Sequence, residues 1–290
     1  VLLMDAFRRS PSAEAFQYAV GVSYDLELGI EGVVLRKMSP GVAPTAPTRP
    51  PNTAVPCVLS LASAWPPEQF QHSQQDILQA LLSQVNLAPD DRAFAEAVYQ
   101  GTKVERRGLS LPLAELYTQP ASAAAEVAPR TQVHQVTLEV FAAAAERALG
   151  EWGGDRSEIT HLVIGSLTFT PAPHRDLPKR LALSDSVKRV HIDHMGCLAG
   201  FRTLGVASQI AAADPDNRVL VIYGDVSCLL GTHLPENPNK LDLVSVSLFA
   251  DGAAAAVVGA GPREEERTVY EVHGVTSQLL ANSSKDMYMY

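Results

Sequence analysis

Cysteine is scarce in this chain. Cys57, Cys197 and Cys228 are the only three in 290 residues. An odd number at wide spacing makes a poor disulfide framework and points to reduced thiols in an intracellular, cytoplasmic protein. No pair has metal-ligand spacing, so no metal site is expected. Basic residues are in deficit, with 23 Lys and Arg against 32 Asp and Glu and a net charge of −9. That balance argues against a general nucleic-acid binder, which presents a basic face; it still allows a local basic patch for a phosphorylated substrate. No apolar run reaches the roughly 18 residues of a membrane span, and the opening VLLMDAFRRS lacks the apolar stretch of a signal peptide. No repeat of 20 to 50 residues suggests a solenoid.

What is present is apolar enough to build a core: 46% of residues are hydrophobic and 19% charged, a globular balance. Residues 39–56, SPGVAPTAPTRPPNTAVP, have the proline density of a linker. Residues 1 to about 52 are therefore expected to lie outside the core as an extension. Beyond them the pattern becomes regular. Pro56–Ser60 reads as a short strand. Pro66 and Pro67 suit the first turn of a helix, with Phe70, Ile77, Leu81 and Val85 on its apolar face. Between Thr131 and Trp152, apolar residues recur at three- and four-residue spacing and predict a helix stopped by Gly153 and Gly154. His161–Ser166, Val187–Asp193 and Arg218–Gly224 are strand candidates, and Cys197–Ala213 reads as a helix. Asp251-Gly252 between two apolar runs is a hairpin signal, and Val269–Val275 opens another strand. Strands alternating with long helices predict an α/β fold with a mixed, mostly parallel sheet covered by helices.

The segment with chemical content is Val190–Cys228. A strand ends near Asp193, Met195-Gly196 makes a tight turn, and Cys197 opens a helix. A thiol there meets unpaired N–H groups and the positive end of the helix dipole, which stabilise a thiolate. The same N–H groups suit an oxyanion formed when the thiolate attacks a thioester. A free cysteine is equally often a small buried hydrophobe, and the strand–Gly-Cys–helix setting alone does not separate the two. Cys57 and Cys228 lack that setting and read as core residues.

GCLAGFRTLGVA, RVLVIYGDVSC and SLFADGAAAAVVGA, in this order and spacing, resemble the type III polyketide synthases of the chalcone and stilbene synthase family. EWGGDRSEITHLVIGS, SDSVKRVHID and VLSLASAWPP resemble it too, so the likeness runs from about Val55 to Val275. The β-ketoacyl-acyl-carrier-protein synthases III share a CLAGF-like element; the KRV strand and LFADGAAA favour the polyketide synthases.

The resemblance implies a thiolase-like α/β fold, with residues 53–262 as its N-terminal half and 263–290 as the start of the second half. It implies an acyltransferase that condenses a starter acyl-CoA with malonyl-CoA, without a cofactor, as a homodimer. Cys197 would be the acyl-carrying nucleophile, and Phe249 would orient the malonyl thioester. Leu167, Thr168 and Ser227 would line the substrate pocket, and Ser245 would set its size, at a position where the family often has glycine. Ala172-Pro173, in the loop Thr170–His174, matches one that reaches the partner subunit's site. Two departures stand out. The family's coenzyme A-binding cations are replaced by Ala93, Glu96 and Gln100, leaving Arg92, Lys103, Arg106 or Arg107 as substitutes or as ordinary surface charges. The family's catalytic His and Asn come from the second half of the fold. His191 and His194 read as packing or surface residues, and Asn237 and Asn239 as turn residues. A truncated half that only binds a partner subunit is the non-catalytic alternative.

Overall fold

The computed structural model describes residues 18–24, 29–37, 54–117, 123–166, 173–193, 195, 198–228 and 234–279. Its strands are β1 (Tyr18–Tyr24), β2 (Gly29–Lys37), β3 (Pro56–Ala64), β4 (Gln71–Ser73), β5 (Arg106–Gly108), β6 (His161–Gly165), β7 (Lys188–Ile192), β8 (Arg218–Asp225), β9 (Gly252–Ala260) and β10 (Tyr270–Leu279). Its helices are α1 (Gln74–Gln84), α2 (Pro89–Gly101), α3 (Ala123–Trp152), α4 (Pro173–Arg180), α5 (Ala199–Ala213) and α6 (Lys240–Leu248). The chain divides into two compact units. One comprises residues 1–64, 141–224 and 253–290, the other residues 65–140 and 225–252.

The first unit is built on an eight-stranded mixed sheet in the order β1-β2-β10-β3-β9-β8-β6-β7. β6 pairs in parallel with β7 and with β8, whereas β3–β9, β3–β10, β10–β2 and β1–β2 are antiparallel. The N-terminal region expected outside the core thus supplies two strands at the sheet edge. YAVGVSY and GIEGVVLRK alternate too weakly, with glycine inside each, to announce themselves as strands. β3 and β6 are buried at every position, which is why they read as mostly apolar runs rather than alternating ones.

Helix α5 lies against this sheet through Gly200, Leu204, Ala207, Ser208 and Ala211, all buried. Their three- and four-residue spacing makes one face of small side chains and Leu204. The core beside it holds Val58, Leu61, Val163, Val219, Val221, Val258 and Tyr270. Each fully buried aliphatic side chain of this kind contributes about 1.5–3 kcal/mol. Small residues permit close approach: a Cβ at Gly165 would run into Thr203 Cγ2. One ion pair is embedded in the unit. Arg218 Nε and Nη2 donate to the two oxygens of Glu266 at 2.6 Å each, with the side chains 0% and 7% exposed. Trp152 Nε1 and the Arg263 N–H donate to the same carboxylate.

The second unit holds α1, α2 and α6, the β4–β5 ribbon and the core residues Ile77, Leu81, Ala95, Tyr99, Leu111, Leu243 and Val246. Helix α1 starts at Gln74, not beside Pro66 and Pro67, because Ser73 caps it: Ser73 Oγ accepts the Asp76 N–H at 3.0 Å. The prolines instead precede a short 3-10 turn, Glu68–Phe70. Asp251-Gly252 is not a hairpin turn. The run before it forms α6, started by a capping box in which the Asn239 side chain accepts from Leu241 and Asp242 while Asp242 accepts the Asn239 N–H. Asparagine serves turns and caps through the same side-chain acceptor, and here it starts a helix.

Candidate active site

Parallel registers bring the carboxyl ends of three strands of the first unit side by side, Gly165 opposite Ile192 and opposite Tyr223. The Ser166 N–H donates to Ile192 O at 3.1 Å and extends the pairing by one residue. Open α/β sheets place ligands beyond the carboxyl ends of their parallel strands. In the chain, Leu167 and Thr168 follow β6, Cys197 follows β7 and Ser227 follows β8. Leu167, Thr168, Ala172, His194, Gly196 and Cys197 themselves lie outside the described residues. Next to Cys197, Leu198 is the N-cap of α5 and makes no side-chain capping hydrogen bond; a helix start left open by its cap residue attracts negative charge.

The other expected site residues meet in the second unit. Ser227, Ser245 and Phe249 line one open concavity of about 210 Å3, which includes solvent at its mouth, together with Arg107, Tyr117 and Cys228. Helix α6 carries Ser245, and its end delivers Phe249, which is 38% exposed. Ser245 Oγ is turned back onto its own helix and donates to Leu241 O at 2.9 Å.

Ser227 is held by a residue that sequence reading took for a turn. Asp251, 2% exposed, accepts the Ser227 hydroxyl at 3.1 Å and the Cys228 N–H at 3.0 Å on Oδ1, and the Ser110 N–H at 2.6 Å on Oδ2. Burial pushes its carboxyl above the usual range, and the hydrogen bonds from Ser110 and Cys228 offset only part of that. Its signal in the sequence was the ADG triplet itself, an acidic residue inside an otherwise apolar run.

Arg107, which the sequence offers as a coenzyme A-binding substitute or an ordinary surface charge, is 3% exposed. Its Nε donates to Gln74 Oε1 at 2.7 Å, and its Nη1 donates to Val246 O at 2.9 Å and Phe249 O at 2.8 Å. It therefore closes the C-terminal end of α6, where a cation is favoured by the helix dipole. Tyr99 stacks beneath it, 5.5 Å from ring centroid to guanidinium carbon, and donates its own hydroxyl to Val246 O. Burial raises the Tyr99 and Tyr117 phenols above their ordinary range, with the nearby Arg107 charge acting against the shift. The remaining basic candidates do lie outside: Arg92 pairs with Glu96 and Arg106 with Glu68, while Lys103 is exposed.

Cys57 and Cys228 are both buried. Burial pushes the Cys57 thiol up to about 11, the reverse of an activated nucleophile. Cys228 is among the residues lining the concavity and is almost fully enclosed. Among the described residues no cluster of His, Cys, Asp and Glu has the makings of a metal site, and no helix is long and apolar enough to cross a membrane.

Comparison with known proteins bears on the same segments. The profile of the family described as chalcone and stilbene synthases, N-terminal domain, matches residues 52–262. Type III polyketide synthase 21 of Oryza sativa subsp. japonica is 33% identical over 226 residues, 76% of this chain and 58% of that protein. Probable polyketide synthase 1 of Dictyostelium discoideum is 38% identical over 160 residues, 54% of this chain and 5% of that protein. Among solved structures, the C-terminal type III polyketide synthase domain of Steely1, a type I/III hybrid from Dictyostelium, superposes with a TM-score of 0.68 at 29% identity. That likeness covers 79% of this chain and 63% of the other. The chain thus spans well under two thirds of the length of the curated relatives it matches. It belongs to the chalcone and stilbene synthase family, the type III polyketide synthases, and it has their thiolase-like α/β fold.

Proposed function

We propose that the intact protein is an acyltransferase that condenses a starter acyl-CoA with malonyl-CoA into a polyketide through an acyl-cysteine. The observation that carries this reading is the family match over residues 52–262, with the GCLAGF element following β7 in the chain and running into α5. In the proposed cycle the Cys197 thiolate attacks the starter thioester and expels the coenzyme A thiolate. Malonyl-CoA then loses carbon dioxide, and the electron pair of the broken C–C bond forms an enolate. That enolate attacks the acyl-cysteine carbonyl, forms the new C–C bond and returns the Cys197 thiolate. Phe249 is assigned to orient the malonyl thioester, and Leu167, Thr168, Ser227 and Ser245 to line the acyl pocket. The family's His and Asn, which would hold the enolate, have no counterpart in this chain. The intact protein is proposed to act as a cytoplasmic homodimer, with no cofactor beyond its coenzyme A substrates.

The shared CLAGF element keeps one rival of the same fold in play, a synthase III that condenses once onto an acyl carrier protein. The test is to supply the intact protein with an acyl-CoA and either malonyl-CoA or malonyl-carrier protein, and to identify the products by mass spectrometry. Products extended from malonyl-CoA support the proposal. Extension only from the carrier-protein donor would replace it with the synthase III reading.

A further inference from the structure

The strand pair β10–β2 repeats the strand pair β3–β9. β2 and β9 are each nine residues long and each begins with glycine. Each runs antiparallel to its partner. Lys37 stands opposite Tyr270 as Ala260 stands opposite Pro56, and Glu31 opposite Ser277 as Ala254 opposite Ser63. The irregularities coincide too. The register skips one residue between Val58 and Ser60 in β3, and one between Val272 and Gly274 in β10. On the partner strands the skips fall between Val257 and Val258 and between Val34 and Leu35, the same place in each run of nine. Bulges are specific features of a strand pair, so one shared position marks β2 as the counterpart of β9.

The neighbouring strands extend the correspondence. Outward from β3 the sheet runs to β9 and β8; outward from β10 it runs to β2 and β1. The two arrangements meet where Val58 pairs with Tyr270 and Cys57 with Glu271. Chain order is not repeated. β9 comes last in the first half, since the family match ends at residue 262. β10 lies beyond that match, whereas its partner β2 precedes the match and the proline-dense residues 39–56. β2 therefore has the place of a closing strand although it comes early in the chain.

Edge chemistry agrees. β7, at the other end of the sheet, carries Lys188 and Arg189 exposed, the charge that protects an edge strand. β1, YAVGVSY, has neither charge nor proline. Its counterpart β8 is an interior strand paired in parallel with β6. Helix α5, which begins beside Cys197, packs on β2 as well as on β3 and β6.

We propose that residues 18–37 are the closing strands of the second-half sheet that β10 opens, donated to the chain's own β10 from its N-terminal side. Lys37 and Val58 both stand opposite Tyr270. Residues 38–55 thus have only about 10 Å to bridge, two strand spacings, which favours donation within one chain. The N-terminal region is then a working part of the synthase fold and not an extension of it.

The experiment uses the intact protein carrying Glu31→Cys and Ser277→Cys, positions that the register sets opposite each other. Opposed residues of an antiparallel pair have Cα atoms about 4.5–5.5 Å apart, within disulfide reach. Mild oxidation, non-reducing electrophoresis and peptide mass spectrometry are expected to show one disulfide within a single chain. Glu31→Cys with Gln278→Cys puts the thiols on opposite faces and should not cross-link. Val34→Pro removes an N–H from the interior strand β2. It should abolish hydrogen-exchange protection in residues 29–37 and 270–279 while sparing residues 161–165 and 218–225. If that variant does not fold, the cross-link decides. No disulfide between positions 31 and 277, or one formed only between two chains, would overturn the proposal. So would unchanged protection of residues 270–279 in Val34→Pro, which would make β1 and β2 a dispensable appendage. Neither readout uses an acyl-CoA, so each stands or falls apart from the condensation chemistry.

Discussion

The Asp251 carboxylate accepts the Ser227 hydroxyl at 3.1 Å, joining the ADG motif to the wall of the concavity. Both of its oxygens accept hydrogen bonds, Oδ1 from Ser227 and the Cys228 N–H and Oδ2 from the Ser110 N–H. An asparagine can accept on one side only and would turn its NH2 toward a buried donor on the other. Asp251→Asn is therefore expected to destabilise the protein by about 1–3 kcal/mol, read as a lower urea midpoint. Because burial raises the Asp251 carboxyl, its contribution is greatest below the ordinary value of 3.8 and declines as pH rises through its folded value. A variant as stable as the parent at neutral pH would show that these hydrogen bonds do not hold the wall.

Glu266 runs the opposite way. Burial drives its carboxyl up, but hydrogen bonds from Arg218, the Arg263 N–H and Trp152 outweigh it, and it ionises below its ordinary value of 4.5. Its contribution is present above that value and is lost as pH falls through the folded one. Melting temperature should fall as pH drops below about 4.5, and Glu266→Gln should flatten that limb. An unchanged acid limb in the variant would show that other carboxylates govern it.

Removing the cation of that pair leaves a buried carboxylate uncompensated. Arg218→Met should cost about 3–5 kcal/mol, against only about 0–1 kcal/mol for Arg106→Met, whose partner Glu68 sits in solvent. Chemical denaturation of the two variants side by side measures the contrast. Equal effects would mean that the buried pair is no more costly to break than a surface one.

The three thiols should differ in reactivity. Cys57 is buried and its thiol is pushed up to about 11, so it remains protonated near neutral pH. Iodoacetamide at mildly acidic pH, followed by peptide mass spectrometry of the folded intact protein, should label Cys197 before Cys57 and Cys228. Uniform labelling, or preference for Cys228, would contradict the thiolate assigned to Cys197.

The elements that could be read in advance are those whose burial is two-sided and local. PCVLSLASA, HLVIG and RVLVIYGD are mostly apolar, and β3, β6 and β8 stand close to where these runs predicted strands. The resemblance gave Ser227, Ser245 and Phe249 three separate roles, in lining the pocket, setting its size and orienting the malonyl thioester, and the three line one concavity. Arg107 was hidden because nothing near it in the chain explains its burial. Its acceptors lie at Gln74, Val246 and Phe249, up to 142 residues away, and KVERRG looks like any solvated stretch. Helix α6 was hidden by composition: LVSVSL alternates like a strand, and a capping box at its start with buried donors at its end overrides that preference. Strand β2, to which the edge strand β1 is paired, itself pairs with β10, a long-range contact that no local window contains.

The central claim is that Cys197 carries the acyl chain. The direct measurement is to mix the intact protein with a starter acyl-CoA, quench in acid within seconds, and map acyl mass increments by peptide mass spectrometry. The account predicts one acyl group on the Cys197 peptide, none on those of Cys57 and Cys228, and none anywhere in Cys197→Ala. An acyl group on another residue, or turnover to polyketide by Cys197→Ala, would contradict it.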